Sequence, residues 1–460
     1  MRRARTALLF FVMGAAMPAM AQENGDLDRI PTAIGNADAT PAPQPGTHGK
    51  YYVENAFALS SSRDNLAVAS PSPPSSDWAN RTSIDAFDQW TLASSQSFTF
   101  SDRFNLTEAK SVGFPAEAAR NDLREAYFTW EPQTQTFLEF GRINLKSGIA
   151  LGFNPTDFFK TRTAVSQASA DPSSLREDRL GTLMVRAQTI WDSGSATFAY
   201  APKVHTPRPL TGPAPNWIDP AFDQTNSADR FLFSLNLDVG DLNPQALVYH
   251  ESGRTKFGFN VSYPIGQSVI AYGEWAGGNE PNLIAQAIAF GKATGTLPSF
   301  APVLPPTSAG RAFQNDLAVG ASWSSIEKVT LNLEYHFHQA GFSGGDWRNW
   351  FDIGAANPLS ASELWYVRGY ASAEQQPMSR HQAFLRADWQ DAFVTDLNLS
   401  CISFVNLTDG SGMMQFAAGY NISDAWSIGA YVGGTFGGKR TEWGSLSGSG
   451  SAIFQVVRYL

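Results

Sequence analysis

The chain has 460 residues, a formal net charge of −9, a single cysteine and only 16% charged residues. A mildly acidic balance at this length argues against nucleic acid as a partner. With Cys401 alone, no internal disulfide can form and a metal site built on cysteines is excluded.

Residues 1–21 read as a secretory signal. Arg2, Arg3 and Arg5 form its positive head, Ala7 to Ala16 its apolar stretch, and Ala19-Met20-Ala21 a small-x-small cleavage site that leaves Gln22 first. The apolar run is too short for a membrane anchor, which must cross roughly 30 Å of hydrocarbon. Residues 22–48 are polar, rich in Pro, Gly, Ala and Asp and without periodicity, which predicts a flexible periplasmic lead-in. No later stretch holds the 18 or so uninterrupted apolar residues of a membrane helix.

The predicted barrel spans residues 49–460, and from about residue 83 to the last residue the chain has a two-residue rhythm. Phe231, Phe233, Leu235, Leu237 and Val239 alternate with Arg230, Ser234, Asn236 and Asp238, and Val329, Leu331, Leu333, Tyr335 and Phe337 with Thr330, Asn332, Glu334, His336 and His338. Successive side chains of a strand point to opposite faces, so each segment has one apolar and one polar face. Strands are predicted at 50–60, 83–91, 96–107, 123–130, 136–147, 182–191, 195–204, 229–239, 244–252, 255–263, 268–277, 314–323, 328–339, 381–389, 394–406, 413–421, 426–436 and 451–460. The connections alternate between short turns, such as Asp192-Ser193-Gly194 and Ile422-Ser423-Asp424, and long loops near 148–181, 205–228, 278–313 and 340–380. Trp130, Trp191, Trp323 and Trp389 each end a strand before a short turn, and Trp426 opens the strand after one. Tryptophan repeated at one level is an aromatic girdle at a headgroup boundary. The predicted fold is therefore all-β, a transmembrane antiparallel β-barrel of about 18 strands (16 being the nearest alternative), with short periplasmic turns and long extracellular loops. Both termini fall on the short-turn side, and the last strand, Ile453 to Leu460, ends in Arg458-Tyr459-Leu460.

The stretch Gly141-Arg142-Ile143-Asn144-Leu145-Lys146-Ser147-Gly148, followed by Gly152-Phe153-Asn154-Pro155-Thr156-Asp157-Phe158-Phe159, resembles Gram-negative outer-membrane porins, with alginate-export-like barrels the nearest in kind. The likeness covers some 20 residues and implies a barrel and a channel, without transferring a substrate. An alginate-export barrel implies about 18 strands and a pore lined with arginine. No comparable arginine run is visible in this sequence, which argues against alginate as cargo.

If the apolar faces meet lipid, the intervening residues face the lumen: Glu125, Tyr127, Arg186, Gln188, Arg230, Asn236, Asp238, Lys256, Asn260, Asn332, Glu334, His336, His338, Arg386 and Asp388. Opposed charges on such a wall set a transverse field that orients polar solutes. Many of these residues would be present for hydration or cross-strand pairing alone. The 148–181 connection, beginning just beyond Arg142, carries Phe153, Phe158 and Phe159 beside Asp157, Lys160, Arg162, Arg176 and Arg179. Leaving its phenylalanines in water would forgo about 1.5–3 kcal/mol each. Folding it into the barrel would bury them, narrow the pore and set the charged residues near the narrowest section. An external loop packed on its neighbours is the alternative.

No cofactor or metal is expected. His336 and His338 share one strand face, but two imidazoles without further ligands are no zinc site. The function expected is a porin for small hydrophilic solutes, rather than an enzyme. The rivals are a lipid-modifying enzyme on the barrel wall, a polysaccharide exporter and a secreted soluble β-protein. An enzyme needs a serine beside a histidine on the outer face, and His381 has no serine clearly placed beside it. The partners expected are outer-membrane lipid and lipopolysaccharide, the barrel-assembly machinery and the solute, with the barrel a monomer or a trimer.

Overall fold

The computed structural model describes residues 49–460 apart from 71–76, 110–116, 166, 211–215, 302 and 305–310. The signal at 1–21 and the lead-in at 22–48 lie outside the described residues. Eighteen strands follow one another: β1 (Lys50–Ser62), β2 (Trp78–Ala93), β3 (Gln96–Ala109), β4 (Glu117–Gln133), β5 (Thr136–Ile143), β6 (Thr182–Trp191), β7 (Gly194–Ala201), β8 (Arg230–Leu237), β9 (Gln245–Glu251), β10 (Arg254–Ile265), β11 (Val269–Glu280), β12 (Ala312–Ser324), β13 (Val329–His338), β14 (His381–Trp389), β15 (Leu397–Asn406), β16 (Gly412–Ser423), β17 (Trp426–Phe436) and β18 (Gly448–Tyr459). Each predicted strand has its counterpart. Every strand pairs antiparallel with the next, and β18 returns to β1 with Tyr459 opposite Tyr52 and Gly448 opposite Ser62. The sheet is thus a closed barrel, which leaves no edge unpaired.

The wall is inside out relative to a soluble protein. On β13 the inward Asn332, Glu334, His336 and His338 are buried, while Leu331 and Leu333 on the outward face are exposed. Trp130, Trp191, Trp323 and Trp426 are exposed beside the short turns, and Trp90 joins them before the β2–β3 turn, stacked on Phe98 at 5.8 Å. An apolar outer band bounded by tryptophan suits hydrocarbon between headgroups.

Two expectations need correcting. The predicted strand 136–147 stops at Ile143, where the chain leaves the wall for the interior. The long connections expected as plain loops also contain helices: α1 (Pro172–Glu177), α2 (Phe222–Thr225), α3 (Leu283–Ala293), α4 (Gly344–Ala356) and α5 (Ala361–Ala373). Helix α4 begins with a capping box in which the Ser343 side chain accepts from the Asp346 amide and Asp346 accepts from the Ser343 amide. Helices α3, α4 and α5 share an apolar core with Leu283, Trp347, Trp350, Phe351 and Leu364 fully buried. They form a cap on the loop side of the barrel.

Candidate functional site: the barrel interior

The segment 144–181 leaves β5 and crosses the interior, held by carboxylates and amides from strands far apart around the wall. On β4, Glu125 accepts from the Asn144 amide at 3.1 Å. On β11, Glu274 accepts from the amides of Ile149 (2.9 Å), Ala150 (3.0 Å) and Thr156 (2.7 Å) and from the Thr156 hydroxyl (2.8 Å). On β13, Glu334 accepts from the amides of Leu151 (2.6 Å) and Gly152 (2.9 Å) and from the Tyr272 hydroxyl (2.8 Å). On β14, Arg386 donates to the Ser173 hydroxyl at 3.0 Å and pairs with Asp171 at 3.3 Å. On β16, Gln415 accepts from the Ala170 amide at 2.9 Å. Carboxylates accepting backbone N–H groups make strong, charge-assisted bonds, and here they substitute for the ladder partners the segment lacks.

Two glycines of the Gly141–Phe159 stretch allow this seat. Gly148 has φ +89°, and a Cβ there would lie 2.4 Å from a Glu274 carboxylate oxygen. At Gly152 a Cβ would lie 2.5 Å from the Phe384 ring and 2.8 Å from His336. Only glycine permits backbone to approach side chains so closely. Phe158 and Phe159 are buried against the inner wall with Tyr127, Met184, Leu232, Leu247 and Tyr249, and Phe158 stacks on Tyr249 at 4.7 Å. Phe153 meets His336 and His338 edge-on.

The charged residues of the segment are brought together. Asp157 receives two bonds from Arg179 at 2.7 and 3.0 Å, with Arg176 at 3.4 Å. Burial alone would raise the Asp157 carboxyl, but the two guanidinium groups hold it below the ordinary range. Arg179 also donates to the Leu145 carbonyl at 2.6 Å, and Arg176 to the carbonyls of Ser147 and Gly148. Lys160 donates to the Asn154 carbonyl at 2.6 Å and lies 4.4 Å above the Phe153 ring. Burial pushes its ammonium down to about 8, against the pull of Asp157, Asp316 and Glu274. Arg162 pairs with Glu374 after α5 at 3.4 Å and donates to Ser227 at 2.9 Å.

The other predicted residues belong to the wall. Arg186 pairs with Glu139 at 2.6 Å and Lys256 with Glu280 at 2.8 Å. His336 bonds Glu334 at 2.7 Å, His338 bonds Asp316 at 2.6 Å, and Arg386 also pairs with Asp388 at 2.7 Å. Arg230 is buried with its guanidinium 5.1 Å above Phe159. Arg142 sits at the end of β5, buried beneath the Phe222 ring and donating to the carbonyls of Gly181 and Pro220. His381, on the outer face, bonds the Tyr335 hydroxyl at 2.8 Å.

Sequence reading missed a second inner constellation. Arg81 on β2 and Arg103 on β3 share Glu54 of β1 at 2.8 and 2.7 Å. Asp85 joins Arg103 at 3.4 Å to Arg124 of β4 at 2.5 Å, and Arg124 reaches Asp178 of the crossing segment at 3.0 Å. The arginine run sought along the sequence thus exists across the sheet, from Arg81, Arg103 and Arg124 to Arg186 and Arg230, with much of its charge met by Glu54, Asp85, Glu139 and Asp178. Glu274 and Gln415 were also missed. The only signal for them was an inward position on an alternating strand.

Between the crossing segment and the cap lies a cavity of about 780 Å³, lined by Phe153, Arg176, Tyr366, Arg368, Gln382 and Glu442 among others. Glu442, in the β17–β18 loop, accepts from the Ser379 hydroxyl at 2.5 Å and the Asn406 amide at 2.9 Å. Ser379 in turn accepts from the Trp347 indole at 2.8 Å, which ties that loop to the cap. Burial pushes the Glu442 carboxyl up to about 7. Beyond the crossing segment, the inward faces of β16–β18 include small residues that stay partly exposed, among them Ala417, Gly419, Ser427, Gly433 and Ser451, interspersed with Tyr431 and Tyr459.

These features define a closed 18-stranded antiparallel barrel, and its structural neighbours are Gram-negative outer-membrane porins. OccK11 (OpdR) of Pseudomonas aeruginosa aligns at 10% identity over 90% of this chain and 95% of its own, with a TM-score of 0.51. OccK5 (OpdH) of the same organism aligns at 10% identity over 90% and 97%, with a TM-score of 0.52. A BenF-like porin from Pseudomonas fluorescens Pf-5 aligns at 10% identity over 90% and 98%, with a TM-score of 0.51. At such identity the likeness is one of fold. No protein-family model and no curated protein matches the chain in sequence.

Proposed function

We propose that this protein is an outer-membrane porin that passes small hydrophilic solutes, exported by cleavage of its signal and inserted by the barrel-assembly machinery among lipopolysaccharide and lipid. The reading rests chiefly on one observation: segment 144–181 crosses the interior from β4 to β16 yet leaves the inward faces of β16–β18 partly exposed. A polar interior narrowed from one side is the arrangement by which a barrel sieves solutes rather than sealing. The passage would run between α1 and the wall of β16–β18 and β1–β3. Asp171, Arg386 and the Glu54–Arg81–Arg103 cluster would then set its field.

Single-channel recording of the refolded mature protein in a planar bilayer tests this directly. Stable open steps that a permeant solute partly blocks are expected. A folded, heat-modifiable barrel that never conducts would rule the reading out.

A further inference from the structure

The cavity between the crossing segment and the cap borders the passage proposed above, reaching from Trp365 and Gly369 of α5 to Ala170 and Pro172 at the head of α1. Its volume of about 780 Å³ is that of a small-molecule site. Charge is present in its wall but already engaged. Arg368 donates to the Glu442 carbonyl at 2.7 Å and to the Ser445 hydroxyl at 2.8 Å, with its guanidinium 5.0 Å from the centre of the Trp365 ring. Arg176 and Arg179 are held by Asp157 and by backbone carbonyls, and Lys160 by the Asn154 carbonyl. The Glu442 carboxyl is bonded by Ser379 and Asn406. An ionic solute would have to displace one of these partners, and leaving a buried charge unpaired is costly.

What the wall leaves open is amide. Gln375, just past α5, donates from its side-chain nitrogen to the Lys160 carbonyl at 2.6 Å and to the Thr163 hydroxyl at 3.2 Å, while its oxygen has no partner among the described residues. Asn154 donates to the Ala150 carbonyl, and its side-chain oxygen is likewise unpaired among the described residues. On the inner face of β14, one end of the Gln382 amide meets His336 at 3.3 Å and the other end has no described partner, although the residue is only 7% exposed. Each amide is fixed at one end and open at the other, so each offers a hydrogen bond in a set direction. Beside them stand the rings of Phe153, Trp365, Phe404 and Trp443.

Resting on the channel reading above, we propose that this cavity binds a neutral disaccharide, held on the loop side of the barrel before it enters the passage. A hydroxyl both donates and accepts, so a sugar can meet an amide whichever end is presented. The C–H faces of its rings are apolar and lie against aromatic side chains, which join an apolar body to polar edges. A carboxylate only accepts and an ammonium only donates, and neither has a free counter-charge here. A neutral ligand leaves the ion pairs of the wall intact. Binding through a few such bonds is also weak enough to release the solute onward, as conduction requires.

Calorimetric titration of the refolded, heat-modifiable barrel in detergent tests this, using maltose, lactose and trehalose in turn and sodium benzoate as the anionic comparison. Single-channel recording with the same solutes runs beside it. At least one of the sugars is expected to bind saturably, with a Kd of about 1 mM, and to close open channels transiently. Benzoate is expected to do neither. Gln382→Leu removes one amide and should weaken sugar binding by about three- to ten-fold, as for one hydrogen bond lost. Gly369 lines the same cavity, and a Cβ there would meet nothing within 4 Å. Gly369→Phe should therefore fold without strain, fill part of the space and weaken the sugar too, whatever becomes of the Gln382 variant. Benzoate bound as tightly as the sugars, no saturable binding of any sugar, or a sugar affinity unchanged in both variants would each overturn the inference. Sugar bound by a barrel that never conducts would uphold the site and remove the channel reading, and conductance without sugar binding would do the reverse.

Discussion

Between β8 and β11 the inward positions carry Arg230, Leu232, Leu247, Tyr249, Asn260 and Glu274, all buried by the infolded segment. Between β16 and β18 they include Ala417, Gly419, Ser427, Gly433 and Ser451, small residues that remain part-exposed beside the larger Tyr431 and Tyr459. The two sectors share one backbone plan, so the difference lies in the side chains. Bulky and charged residues draw backbone into the lumen because Glu274 and Glu334 offer acceptors and Tyr249 offers an aromatic face. There the hold on the segment is the Ala170 amide bonded to Gln415, and the small residues around it leave their faces part-exposed. In the channel reading, the passage is placed by the sector that holds the loop least as much as by the one that holds it most.

Removing the filling from the packed sector is the harshest way to break this contrast. Deleting residues 160–175 should raise single-channel conductance several-fold, because the part of the segment that reaches β14 and β16 is lost. Unchanged conductance would mean that the segment does not bound the passage. Arg179→Met is a gentler form of the test. It leaves Asp157 buried with Arg176 at 3.4 Å and the Lys160 ammonium as its remaining cations, and breaking a buried pair costs up to about 3–5 kcal/mol. Protease protection of the segment should fall, and Asp157→Asn in the same chain should restore part of it. Equal protection in all three chains would show that Phe158 and Phe159, not the ion pair, hold the segment.

How much of this the sequence revealed follows from the range of the forces involved. Alternation such as Leu331-Asn332-Leu333 is local, so all eighteen strands could be read. Turn-flanking tryptophans marked the aromatic girdle, although Trp90 escaped because three residues separate it from its turn. The phenylalanines of 153–159 signalled burial through their cost in water. Partners across the barrel were not legible. Glu274 lies well over a hundred residues from the amides it binds, and Arg81, Arg103 and Arg124 become neighbours only through strand register. The cap helices were missed because α3 and α5 lie in Ala-rich stretches whose apolar face has no partner until the cap assembles. For α4, Ser343-Gly344-Gly345-Asp346 was the available sign, a capping box at the head of the helix.

The cavity between the crossing segment and the cap should respond to pH through Glu442. Its ordinary value is 4.5 and burial raises it to about 7, against Arg368, Ser379 and Asn406 and with Asp409 adding to the rise. A carboxyl raised in the folded state favours that state fully below its unfolded value and loses the benefit as pH climbs through the folded one. The clasp between the β17–β18 loop and the cap should therefore be tightest below pH 4.5 and weaken through pH 7, by on the order of 3 kcal/mol at most. Amide exchange in α4 and α5 should be faster at pH 8 than at pH 5, and Glu442→Gln should flatten the difference. A pH response that survives in Glu442→Gln would assign it to another group.

The smallest expected effect sharpens the contrast from the open side. Gly419 faces inward on β16, opposite Asn398 of β15 and Gly429 of β17, and a Cβ there would meet nothing within 4 Å. Gly419→Trp should therefore fold without strain and project its ring into the space the small residues leave. If solute passes along β16–β18, conductance should fall to roughly half, because the ring removes section from a passage only a few residues wide. A matched Ala246→Trp on the outer face of β9 would enlarge the lipid-facing surface alone and leave conductance unchanged. A drop in the outer variant and none in the inner one would reverse the assignment of faces in this half of the barrel. No change in either would move the passage away from the small-residue wall, toward the sector where Lys160 and Asp157 are packed.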